Sequence, residues 1–166
     1  MMNWSIPASG PDSNWIETPI ADAFSAQLRS GGHLVFASSA AIAMSRHVVP
    51  VYELYKAGHD PYWVDGLDLL GPHGLELAIM PHWNNSEGGA AFDTRYCFIG
   101  KRRLKAMEDL LPESTRMIGL DENTACVIDL AAQTCEVFGS GRVILRHLGQ
   151  EKSFAAGAQF DWQEFK

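Results

Sequence analysis

Three separate stretches of this sequence carry residues that could share one acyl-transfer reaction. The first is "LVFASSAA", residues 34 to 41, an apolar run that ends in Ser38-Ser39 and turns at once into alanines. A serine presented as a nucleophile needs a tight strand-to-helix turn, and small neighbours let the backbone pack closely there. Ala37, Ala40 and Ala41 are such neighbours, and Ser39 is the candidate nucleophile. The second is His82, directly after Pro81 at the end of the apolar run "LELAIM". An imidazole at a strand end can take the proton of a serine at a neighbouring strand end. The third is "GLDENTACVID", residues 119 to 129, where Asp121 and Glu122 follow a short strand. A carboxylate there could orient the histidine and stabilise the imidazolium. Glu53 is a second candidate for that role.

Weaker candidates surround these. Arg95, Arg102 and Arg103 follow the histidine loop and could bind a substrate carboxylate. Asn84, in the same loop, is a further substrate-binding candidate. Gly10, in "GPDSN", could turn backbone N–H groups toward an oxyanion. The histidines His59, His73 and His82 lack metal-ligand spacing, and no C-x-x-C pair exists, so no metal is expected. There is no G-x-G-x-x-G or phosphate-loop motif, and no cofactor is expected.

These residues must be carried by an α/β frame. Thr18-Pro19 opens a helix that should run to about Ser30 and stop at Gly31-Gly32. "HLVFA" reads as a short buried strand and Ala40 to Met44 as helix. Residues 48 to 74 are broken by Pro and Gly and read mainly as loop. "LELAIMPHW" is a second buried strand. Asp93 or Thr94 could cap a helix to about Leu111, with Phe98, Leu104, Met107 and Leu110-Leu111 inward. "RMIGLD", "ACVIDL" and "TCEVFG" read as strands, and "GSGR" as a hairpin turn into "VILRHL". Alternation of helices and buried strands predicts parallel pairing first and antiparallel pairing in the tail.

Composition narrows the function class. The chain has 166 residues, 46% hydrophobic and 20% charged, which suits one domain with a real core. A net charge of -7 argues against nucleic acid and anionic membranes as partners. No apolar run approaches a membrane span. Three cysteines without a paired motif suit free thiols in a reducing compartment. The start "MMNWSIPASGPDSNW" has no basic region followed by an apolar one, so the expected location is cytoplasmic.

The order of segments "GGHLVFASSAAIA", "VPVYELYKAG", "MPHWNNSEGG", "DTRYCF", "IGLDENTACVID" and "GSGRVILR" resembles the cyanophycinase and aspartyl dipeptidase (dipeptidase E) family of serine peptidases. The resemblance runs from about residue 8 to about residue 160. It implies a class I glutamine amidotransferase-like, flavodoxin-like three-layer sandwich, with a mainly parallel sheet and a hairpin-rich C-terminal part. The family's domain extends further on its N-terminal side, so the first strands are expected to be missing from a single, shortened peptidase-like domain over residues 1–166. An exposed sheet edge of that kind could be covered by a homodimer. The resemblance implies Ser39 as nucleophile and His82 as base. Glu122 matches the acid of the cyanophycinase branch, and Glu53 stands nearer the place used in the dipeptidase branch. The Gly10 loop and the Ala40 N–H would form the oxyanion hole, and Arg95 would read an acidic substrate side chain. The implied function is Ser-His-Glu acyl transfer on a peptide or isopeptide bond near an acidic residue. The family's elbow reads Gly-x-Ser-Ala-Gly, whereas this one reads Ala37-Ser38-Ser39-Ala40-Ala41. That difference motivates an alternative, a catalytically inactive relative acting in binding or assembly.

Overall fold

The computed structural model describes residues 15, 16 and 18–165. The chain runs through α1 (Pro19–Arg29), α2 (Ser39–Ala43), β1 (His47–Val48), α3 (Val51–Tyr55), β2 (Val64–Asp65), β3 (Leu77–Met80), α4 (Gly100–Glu108), β4 (Arg116–Leu120), β5 (Thr124–Asp129), β6 (Thr134–Gly139), β7 (Arg142–His147), β8 (Gln150–Ala155) and β9 (Gln159–Asp161). Short 3-10 turns lie at Gly71–His73 and Trp162–Phe165.

The expected mainly parallel, flavodoxin-like sandwich is not what forms. Larger sheets run β3-β4-β7-β8 and β5-β6-β9, with a two-stranded pair β1-β2 beside them. Only β3 and β4 pair in parallel, and every other pairing among the described residues is antiparallel. The physical reason lies after β4. A parallel crossover needs a dozen or more residues, but turns between the later strands are short and return the chain at once. The "GSGR" turn also does something other than close a hairpin ladder. β6 pairs with β5 and β9, whereas β7 pairs with β4 and β8, so the turn passes the chain from one sheet to the other.

The side-chain alternation of β3 explains the layers. Leu77 and Ile79 join a core with Ile118, Val143, Leu145, Val137 and Trp162, which fills the space between the two larger sheets. Ala78 and Met80 point to the other side and join Leu54, Leu104, Met107, Met117 and Ile144, where α3 and α4 cover the sheet. All four β3 residues are buried, as expected of a strand covered on both faces.

Two expected elements differ. Residues 33–37 belong to no helix or strand, and exposure alternates along them, with Val35 94% exposed. The helix expected from Asp93 or Thr94 starts only at Gly100. Tyr96, Cys97 and Phe98 all have left-handed backbone, with φ of 59°, 57° and 68°. A right-handed helix cannot pass through them, since each such L-residue resists that conformation. Asp93 still serves the helix from a distance, because its Oδ2 accepts the Lys101 N–H at 3.0 Å.

Candidate active site

The parallel pairing of β3 with β4 is the element that assembles the site. Met80 is registered against Gly119, so the carboxyl ends of both strands emerge at the same edge. His82 lies two residues beyond β3, and Glu122 two residues beyond β4. Their side chains meet, with His82 Nδ1 3.3 Å from Glu122 Oε1. The other ring nitrogen, Nε2, stands 3.1 Å from a serine hydroxyl, and that serine is Ser38.

Sequence reasoning had placed Ser39 there. The shift by one residue has a local cause. Ser38 takes φ 51° and ψ -123°, a backbone state that L-residues rarely adopt, and α2 begins immediately after it with Ser39. The turn therefore presents Ser38, while Ser39 becomes the first helical residue. Ala40 is affected too. Its N–H donates to the Ala37 carbonyl at 3.1 Å, so it is spent inside the turn rather than offered to an oxyanion. The first N–H of α2, that of Ser39, has no acceptor within the helix. Gly10 lies outside the described residues.

His82 itself has left-handed backbone, φ 55°. Its carbonyl accepts N–H groups from Asn85 and Cys97, each at 3.3 Å. The next residue, Trp83, is buried and anchors the turn. Its N–H donates to Leu120 O at 2.9 Å, and its carbonyl accepts the Tyr96 N–H at 3.0 Å. Its ring meets Tyr96 edge-on at 4.7 Å. Gly119 makes room for that ring, because a Cβ there would fall 2.3 Å from a Trp83 ring carbon. The left-handed run 96–98 thus closes over the histidine turn, and Phe98 packs its ring 5.5 Å from the imidazole.

Glu122 is held from the loop that follows His82. Asn85 Nδ2 donates to Glu122 Oε1 at 2.7 Å, and the Glu122 N–H donates to Asn84 Oδ1 at 2.8 Å. The Asn85 amide and then the His82 ring hold the Glu122 carboxyl below its ordinary range. Asn84, expected to bind substrate, is instead engaged with the Glu122 backbone. Asp121, the other acid of that turn, is buried and directed away, with Oδ2 accepting from Arg142 N at 3.0 Å and Nε at 3.2 Å. Glu53 lies on α3, and the carboxylate at His82 Nδ1 is that of Glu122 instead.

Arg95 is not an open fork. Its Nε and Nη2 donate to the two Asp93 oxygens at 2.7 Å and 2.8 Å, and its guanidinium lies 5.2 Å over the Tyr96 ring. That pairing holds the Asp93 carboxyl far below its usual range. Residues 84–86 and 89–95 line a cleft of about 330 Å³ beside the histidine turn. Arg102 and Arg103 lie on α4. Among the described residues, no three His, Cys, Asp or Glu side chains are grouped so as to hold a metal ion. No helix among them is long and apolar enough to cross a membrane.

Sequence reasoning missed Ser38 and Asn85. The signal for Ser38 is faint, since two adjacent serines fit the same turn and only backbone geometry separates them. Asn85 gives no signal, being one polar residue in a polar, Gly-rich loop.

No protein-family profile matches the sequence. No curated protein matches it either. Among solved structures, the chain is similar to a peptidase from an acI-B1 Actinobacterium, with a TM-score of 0.64 and 24% identity. The match covers 88% of this chain and 52% of that one, so the chain spans about half the length of that peptidase. At this identity the likeness is one of fold, and this chain shares its fold with about half of a peptidase.

Proposed function

We propose that the chain is a serine-type hydrolase that cleaves peptide bonds by acyl transfer. The observation that carries this reading is the 3.1 Å approach of Ser38 Oγ to His82 Nε2, from a serine held at φ 51°. In this mechanism Nε2 accepts the hydroxyl proton as Oγ bonds to the substrate carbonyl carbon. Glu122, on Nδ1, keeps the ring in the tautomer with a bare Nε2 and stabilises the imidazolium. The Ser39 N–H, without an acceptor inside the helix, is the donor assigned here to the developing oxyanion. The imidazolium then protonates the leaving amine as the peptide bond breaks, and water, deprotonated by Nε2, releases the acyl group from Ser38.

The substrate is a peptide or isopeptide bond beside an acidic residue. Recognition of that acid falls to Arg95, which would have to exchange part of its Asp93 pairing for the substrate carboxylate. Similarity of fold to a peptidase supports the reaction class. A fluorophosphonate probe tests the reading. Wild type and Ser39→Ala are expected to become labelled, and Ser38→Ala is not. Loss of labelling in Ser39→Ala alone would return the nucleophile to the position that the family resemblance implies. Folded wild type that resists the probe would sink the hydrolase reading.

A further inference from the structure

We infer that Asn85 is a positioning residue, which acts through Glu122 to fix the orientation and charge of the acid behind His82. The inference rests on the hydrolase reading above. Asn85 is the one amide side chain in the site that is fully buried, at 1% exposure. Its side-chain amide and its backbone N–H all have assigned partners. Nδ2 donates to Glu122 Oε1 at 2.7 Å, Oδ1 accepts the Glu87 N–H at 3.1 Å, and the backbone N–H donates to His82 O at 3.3 Å. A single residue thus touches the backbone of the base and the carboxylate of the acid.

The choice of oxygen matters. Asn85 donates to Oε1, the same atom that His82 Nδ1 approaches at 3.3 Å. With Oε1 held from one side by an immobile amide, the carboxylate has one orientation in which it can also receive the imidazole N–H. Asn84, by accepting the Glu122 N–H, fixes the backbone of the same turn. A flexible glutamate that is 37% exposed would otherwise share its time with water. Burial holds the amide in place, so the donor itself loses little time to water while its acceptor stays partly exposed.

The charge of Glu122 follows from this grip. A hydrogen-bond donor on a carboxylate favours its ionised form. The titratable and charged groups around it are His82 at the end of β3, Asp121 with its partner Arg142 at the start of β7, and Glu87 on the loop. Asp121 is turned onto Arg142, which leaves His82 and the amide to act on Glu122. Removing the amide therefore makes Glu122 take up its proton at higher pH, and the base loses its oriented partner as acidity rises.

The test uses the whole chain. The Glu122 carboxyl carbon is followed by NMR through a pH titration, with Glu122→Gln to assign it, in wild type and in Asn85→Ala. Fluorophosphonate labelling rates are measured across the same pH range. The wild-type carboxyl is expected to titrate below the other exposed glutamates, and the Asn85→Ala carboxyl to move up toward them. Labelling of Asn85→Ala at neutral pH is expected to slow by about tenfold, the lower end for outer partners of a working side chain. Its fall on acidification should begin at higher pH than in wild type. A merely structural role would lower the amount of folded protein and leave that pH profile in place. Unchanged titration and unchanged profile in folded Asn85→Ala overturn the inference. Should Asn85→Ala not fold, the wild-type titration still decides, since a Glu122 that titrates with the ordinary glutamates overturns it too. If wild type fails to label while Glu122 titrates low and shifts in the variant, the hydrolase reading falls and the Asn85 grip on the carboxylate stands.

Discussion

The two halves of the candidate site are held in very different ways. The His82–Glu122 half grows from the ends of two paired strands and is fixed by Trp83, Tyr96, Asn84 and Asn85. The Ser38 half grows from an irregular segment that belongs to no sheet. Val35, three residues before the serine, is 94% exposed, and Ser38 is exposed as well. Behind the serine, support comes from α2, where Ala41 and Ile42 are buried and the Ile42 N–H donates to Ser38 O at 3.2 Å. Both halves contain left-handed residues, Ser38 on one side and His82 and 96–98 on the other. Such strain persists where surroundings over-determine the backbone. On the histidine side the surroundings are a buried aromatic, a buried amide and a second chain segment. On the serine side they are one turn of helix and the single ring of Phe36, which packs against the core and meets Phe24 edge-on at 5.2 Å. The His82 imidazole is therefore preset, and the position of Ser38 is the softer coordinate of the pair.

The largest expected effect comes from breaking the preset half chemically. On the proposed mechanism, His82→Ala should lower fluorophosphonate labelling by about four orders of magnitude or more, since the members of a triad act as a unit. The circular dichroism spectrum should stay that of wild type, because His82 is partly exposed and the turn is anchored by its neighbours. Labelling that survives in His82→Ala would mean that Ser38 is activated without this imidazole, and the two halves would then not form one site.

The next effect is on stability and is strongly asymmetric. Trp83→Ala removes the buried ring that anchors the histidine turn and should cost about 3–5 kcal/mol. Val35→Ala, on the serine side, should change stability by less than about 0.5 kcal/mol, as exposed substitutions do. Chemical denaturation of both variants measures the difference. Equal losses would show that residues 33–37 are packed as tightly as the histidine turn, and the contrast would disappear.

The same asymmetry governs what could be read from the sequence. Strand ends that carry His82 and Glu122 were legible because β3 is a continuous apolar run and "GLDE" ends another. Each reports burial that is local in sequence. The start of α1 was legible for a similar reason, since Pro19 stands at its first position. Properties set by distant partners were not legible. "HLVFA" has strand composition, yet a strand exists only where another chain segment pairs with it. Phe98 fits a helical spacing with Leu104 and Met107, but contacts with Trp83 and His82 O force residues 96–98 into left-handed backbone. The exchange of sheets at "GSGR" depends on whether β7 finds β4 or β6. Ser38 and Ser39 have identical side chains, so only backbone strain tells them apart.

The smallest expected effect separates strain that the site uses from strain that it does not. Gln133 also has left-handed backbone, φ 57°, but it lies exposed in the turn between β5 and β6. Its turn is stabilised by Asp129 Oδ1, which accepts the N–H groups of Ala131 and Ala132 at 2.9 Å and 2.8 Å. Its carbonyl accepts the Trp162 N–H at 3.0 Å, a bond that glycine keeps. An L-residue in this state costs about 1–2 kcal/mol. Glycine removes that cost but loses about 0.5–1 kcal/mol through its freer unfolded chain. Gln133→Gly should therefore stabilise the fold by about 0.5–1 kcal/mol, the difference of those two effects. At Cys97, with φ also 57°, the side chain is buried and its thiol is pushed up to about 12 by burial. Cys97→Gly relieves the same strain yet opens a hole under the histidine turn, so it should destabilise. Opposite signs for the two glycines, read from denaturation midpoints, would mean that left-handed backbone near His82 is held in place by packing. Two stabilising glycines would mean that the turn over His82 relaxes freely, and the preset half would be no firmer than the serine half.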